Sequence, residues 1–158
     1  MAHITHIGQP PGNHVTLEIV GGMIGGCGPS LHDFIRVLPG GGSEGSPGGL
    51  GWRVPPKAHL VVTDVDWQYV HPAAGVAAGN IQVLRLFIEN LADPNQSRRA
   101  FESTVTLSSQ GQGGVSESMT SGFVVSHEAR ICPDIFPGPM GPPSGLQHLI
   151  IRGYLVYS

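Results

Sequence analysis

Residues 59–70 read HLVVTDVDWQYV. Val61, Thr63, Val65, Trp67 and Tyr69 stand at alternate positions, with Asp64, Asp66 and Gln68 between them. Successive side chains of a strand point to opposite faces, so this period of two marks a half-buried strand. Val61 to Tyr69 are expected on its covered face and the two carboxylates on the other.

Neighbouring segments repeat the pattern. Residues 81–89 (IQVLRLFIE) place Leu84, Leu86 and Ile88 on one face. Residues 100–108 alternate Phe101, Ser103, Val105 and Leu107 with Glu102, Thr104 and Thr106. Val15 to Val20 (VTLEIV) is a shorter β-rich run. Met119–Ser126 and Ala129–Ile135 read as a hairpin joined at Ser126-His127-Glu128. Residues 146–157 (LQHLIIRGYLVY) are apolar on both faces, as in a central strand or one facing another subunit. Ser30–Val37 is open between a helix capped by Ser30 and a strand. Leu38–Gly51 (LPGGGSEGSPGGLG) reads as a flexible Gly-rich loop, and Pro137–Gly145 as another loop.

Composition agrees. The 158 residues include 24 glycines and 14 prolines, and turn formers at that density suit short strands joined by tight connections. The expected fold is all-β, a jelly-roll-like antiparallel β-sandwich, built as a single domain over residues 1–158 with the flexible loop at 38–51. Charged residues are only 12% and the formal net charge is -3. Arg98-Arg99 is the only basic pair, which argues against a nucleic-acid partner. No apolar run reaches the length of a membrane-spanning helix, and Met1–Pro11 lacks the cationic and then apolar pattern of a signal peptide.

Nothing in the chain reads as a catalytic centre. Gly41-Gly42-Ser43-Glu44-Gly45 matches G-x-S-x-G, but a nucleophile elbow needs a helix after the serine, and Ser46-Pro47-Gly48-Gly49 does not start one. The eight histidines are scattered and lack the closely spaced pair of a cupin metal site. Asp64 and Asp66 share a strand face. They could begin a calcium site, since hard cations want clustered oxygens, or act as an acid–base pair. The plainer reading is a solvated strand face. Trp67 and Tyr69 share the parity of Val65 and belong to the core, whereas Trp52, beside the Gly-rich loop, is the better candidate for an exposed aromatic that binds a ligand. Asn95-Gln96-Ser97 is a glycosylation sequon in a polar loop. Cys27 and Cys132 could form one disulfide or remain two thiols.

The C-terminal quarter carries a resemblance. Ser116–Cys132, with Gly122-Phe123-Val124-Val125 inside it, and Arg152-Gly153-Tyr154-Leu155-Val156-Tyr157 at the end are similar to the closing strands of C1q/TNF-like jelly rolls. The Gly-x-Tyr-x-Phe strand found in the middle of that family is missing here. The resemblance implies a ten-stranded sandwich that forms homotrimers around an apolar axis. It also implies an extracellular or particle-surface role as a ligand, an adhesive tip or a decoration protein.

The functional expectation is therefore a non-enzymatic, oligomeric jelly-roll protein acting in assembly or binding. It would need no cofactor, and its partners would be copies of itself and a protein or glycan ligand. The alternative is a carbohydrate-binding module using Trp52, with calcium at Asp64 and Asp66. An enzyme on the same fold is a third reading.

Overall fold

The computed structural model describes residues 10–19, 34–45, 51–73, 79–135 and 145–158. These form a short 3-10 turn, Pro11–Asn13, and nine strands: β1 (His14–Ile19), β2 (Phe34–Val37), β3 (Ser43–Glu44), β4 (Ala58–Val70), β5 (Ile81–Asn90), β6 (Ser97–Thr106), β7 (Gln112–Ser126), β8 (Ala129–Ile135) and β9 (Leu146–Tyr157). No α-helix occurs among the described residues. The strands make a six-stranded sheet, ordered β3-β2-β1-β9-β4-β7, and a three-stranded sheet, ordered β6-β5-β8. Every pairing is antiparallel. The fold is thus the expected all-β sandwich. The chain changes sheet between β4 and β5, β6 and β7, β7 and β8, and β8 and β9. The chain thus passes back and forth between the two layers of the sandwich.

The core lies between the sheets. Leu60, Trp67, Tyr69, Leu149, Ile151 and Leu155 face inward from the larger sheet and Leu84, Leu86 and Ile135 from the smaller, all almost fully buried. At about 25 cal/mol per Å² of apolar area removed from water, such side chains supply most of the drive to fold. β9 is a central strand, paired with β1 on one side and β4 on the other.

The structure corrects the sequence reading in three places. The first lies inside β4. Leu60 and Val62 are buried, then Val65, Trp67 and Tyr69, while Val61 and Thr63 are only half-buried. A β-bulge at Thr63 reverses the alternation, because the register steps from Val62–Gly153 to Asp64–Arg152 with Thr63 unopposed. Val61 and Thr63 therefore do not share the covered face of Val65. Opposite the same point β7 steps from Phe123 to Ser118. Gly122 (φ +71°) and Gly153 flank the bulge, and a Cβ on either would land on the carbonyl oxygen of Val62 or Val61 respectively.

Second, Met119–Ser126 and Ala129–Ile135 are both strands, but they do not form a hairpin. β7 pairs with β4 in the larger sheet and β8 with β5 in the smaller, so the turn at His127-Glu128 carries the chain between sheets. The local pattern of two apolar runs around a polar turn is the same in both cases. Third, the Gly-rich stretch is not all loop: Ser43–Glu44 pairs with Arg36 and Val37 of β2, closed by Leu38 N–H to Gly42 O at 2.8 Å. Of the stretch left open between helix and strand, Phe34–Val37 is strand β2; its first residues, like Pro137 to Ser144, lie outside those described. Cys132, on β8, is disulfide-bonded. The chain's other cysteine, Cys27, lies outside the described residues.

Candidate functional site

The outer face of the six-stranded sheet carries the functional candidates. β4 has β7 on one side and β9 on the other, so the register builds rows of side chains across three strands. Beyond the bulge, Ser126, His59 and Val156 form one row and Val124, Val61 and Tyr154 the next. Val124 is 52% exposed and Val156 42%, and Val61 and Tyr154 are half-buried. Solvated apolar side chains clustered in one place, on a face otherwise polar, are an interaction signal rather than surface noise.

The opposite end of the same face is polar. Asp64 stands between Ser118 and Arg152, Asp66 between Ser116 and Ile150, and Gln68 between Gly114 and His148. Asp64 accepts hydrogen bonds from Ser118 Oγ to Oδ1 and from Thr63 Oγ1 to Oδ2, both at 2.6 Å. These two donors hold its carboxyl below the ordinary value of 3.8, the Ser118 bond contributing most and Thr63 next; they outweigh the opposing effect of burial, and Arg152 adds a still smaller downward pull. Asp66 Oδ2 lies 3.7 Å from His148 Nε2. The two aspartates do share one face. The Asp64 oxygens, however, are already engaged by hydroxyl donors. Among the described residues no group of three or more His, Cys, Asp or Glu is placed to hold a metal ion.

Beyond Asp66 the face sinks into an open groove of about 530 Å³, lined by Asp66, Gln68, Ser108, Gln112, Gly114 and Ser116 among others. Sequence reasoning did not find it. Gln112, Gly114 and Ser116 belong to a stretch of β7 with no apolar alternation strong enough to reveal a strand.

Trp52 is not the exposed platform expected. It is half-buried and packs against the core, and its backbone N–H bonds to Phe34 O at 2.8 Å. The Arg36 guanidinium lies 6.0 Å from the ring centroid, within cation–π range. Arg36 is itself tied to the carbonyls of Gly12 (3.2 Å) and His14 (3.0 Å). The cavity beside Trp52 is only about 20 Å³, room for about one water. Trp67 and Tyr69 are fully buried, as expected. Burial also raises the Tyr69 hydroxyl above its ordinary 10.0.

The other candidates are dispersed. Ser43 of the G-x-S-x-G match lies in the edge strand β3. Asn95 of the sequon is exposed in the turn between β5 and β6. On the outward face of the smaller sheet, Glu89 is buried and paired with Arg130 at 2.6 Å, and the Cys132 sulfur lies 3.4 Å from the same Glu89 oxygen. No protein-family model matches this chain, and no curated protein is similar to it. Fold and surface define it as an antiparallel β-sandwich with one apolar and one grooved polar region on the same sheet face.

Proposed function

We propose that this chain is a non-catalytic, self-associating jelly roll, a homotrimer that acts in assembly or binding at an extracellular or particle surface. The observation that carries the reading is the apolar cluster of Val61, Val124, Tyr154 and Val156 on the outer face of β4, β7 and β9. These residues cost free energy when solvated, and a second copy covering them recovers it. A stable protein interface buries about 800 Å² per partner, so the contact would extend from this cluster along the neighbouring rows. Low surface charge favours such a contact, since charged side chains are depleted from interface cores. The number three comes from the resemblance of residues 116–132 and 152–157 to C1q/TNF-like domains.

Light scattering on a sizing column tests this. The expected mass is three times the 16.6 kDa of one chain. Val124→Glu combined with Val156→Glu should reduce it to one chain while leaving the circular dichroism of a folded β protein. Twice 16.6 kDa would keep self-association and discard the trimer. A wild-type monomer would remove the reading altogether.

A further inference from the structure

We infer that the groove at the polar end of this face is a binding site for a neutral, hydroxyl-rich ligand, a saccharide. The site is complete within one chain, so the inference does not rest on the oligomeric reading. Its floor and walls come from register. Asp66 pairs with Ser116, Gln68 with Gly114 and Val70 with Gln112, which puts all of these on one face, and Ser108 closes the end from the turn before β7. Gly114, beside the groove, lets β7 lie close against β4. A Cβ there would meet Trp67 O at 2.9 Å and the Gln68 side chain at 3.0 Å. The volume of about 530 Å³ falls within the range of small-molecule sites.

The lining selects the ligand chemistry. Asp66 offers a carboxylate that accepts hydrogen bonds. Gln68 and Gln112 offer amides that both donate and accept, and Ser108 and Ser116 offer hydroxyls that do the same. Among the described residues no Lys or Arg lines the groove, and a phosphate, sulfate or acidic sugar would meet the like charge of Asp66. A bound cation would find one carboxylate, and no cluster of ligating side chains is present among the described residues. An organic ammonium would use Asp66 and leave the amides and hydroxyls unmatched. An apolar ligand would desolvate all of them without replacement bonds. A polyol satisfies the whole set, because each of its hydroxyls can donate to the carboxylate or an amide oxygen and accept from an amide N–H. The groove lies about 20 Å along β4 from the Val61 cluster at the strand rise, so self-association and ligand binding use separate parts of the face.

The test is an amide NMR titration of the full chain with glucose, galactose, mannose, N-acetylglucosamine and their common disaccharides. Calcium chloride, methylammonium and inorganic sulfate serve as comparators. At least one neutral sugar is expected to shift the side-chain amides of Gln68 and Gln112 and the backbone amide of Gly114. Asp66→Asn and Gln68→Ala should each weaken that sugar by about tenfold or more, the loss of one good polar contact, with the rest of the spectrum unchanged. The proposal is overturned if no neutral sugar shifts these signals, if only calcium, methylammonium or sulfate does, or if both variants bind sugar like the wild type.

Discussion

Trp67 and Ser103 join the two sheets: the indole Nε1–H donates a buried 2.8 Å hydrogen bond to Ser103 Oγ, from β4 across the core to β6. Ser103 is one of few polar residues in that interior, at 3% exposure. An indole N–H buried without a partner costs about 1–3 kcal/mol. Ser103→Ala is therefore expected to lower stability by about that amount in urea unfolding. Adding Trp67→Phe to Ser103→Ala should cost less than the two single changes summed, because the second change removes the orphaned donor. Strict additivity would mean that the bond contributes nothing.

The bulge at Thr63 makes a sharper prediction. Gly153 passes so close to β4 that a methyl group would occupy the position of the Val61 carbonyl oxygen. The obstacle is backbone in a central strand pair and cannot rotate away. Gly153→Ala should cost on the order of 3 kcal/mol, the upper part of the usual range for overpacking. Gly12→Ala, where nothing lies within 4 Å, serves as the control and should be close to neutral. Equal midpoints for the two variants in thermal unfolding would show that the β4–β9 contact is looser than described.

Asp64 ties stability to pH. Its carboxyl is held below 3.8 in the folded chain, chiefly by Ser118 and then Thr63. A group whose folded value is depressed stabilises fully above its unfolded value, and the contribution disappears as pH falls through the folded one. The wild type should thus lose part of its stability below about pH 3.8. Asp64→Asn should be less stable than wild type at pH 7, and the gap should narrow steadily in acid. Denaturant midpoints from pH 7 down to pH 2.5 measure this, and a constant gap would count against the two hydroxyl bonds.

Gln82 is fully buried, and among the described residues neither its amide nitrogen nor its amide oxygen has a hydrogen-bond partner. Desolvating an unpaired amide costs about 1–3 kcal/mol by protein mutational data. Gln82→Met keeps the length of the side chain and removes both polar atoms. It should raise stability by roughly 1 kcal/mol or more, read as a higher urea midpoint. A lower midpoint would show instead that an internal water satisfies this amide.

Much of the architecture is legible in the sequence. β5, β6 and β9 stand where the alternation of Leu84–Ile88, Phe101–Leu107 and Leu146–Tyr157 places them, because a sandwich must cover one face of each sheet. The face shared by Asp64, Asp66 and Gln68 was legible for the same reason. The change of parity at Thr63 was not, since a bulge follows from how two neighbouring strands fit β4 and leaves little mark on β4 itself. Trp52 misled because proximity to glycines says nothing about a guanidinium, Arg36, arriving from another strand.

Local alternation and composition were enough to establish strands, their inward faces and an all-β class. Those properties depend on side-chain period and turn chemistry within a few residues. Which strands become neighbours depends on pairings between distant parts of the chain. That is why β7 and β8 part into different sheets although their sequence reads as a hairpin, and why β9 lies between β1 and β4. The apolar cluster at Val61 and the groove at Gly114 follow from those pairings. Each combines residues of β4 with residues of β7 more than forty positions away, with β9 contributing to the cluster, and only the register of the folded sheet brings them together.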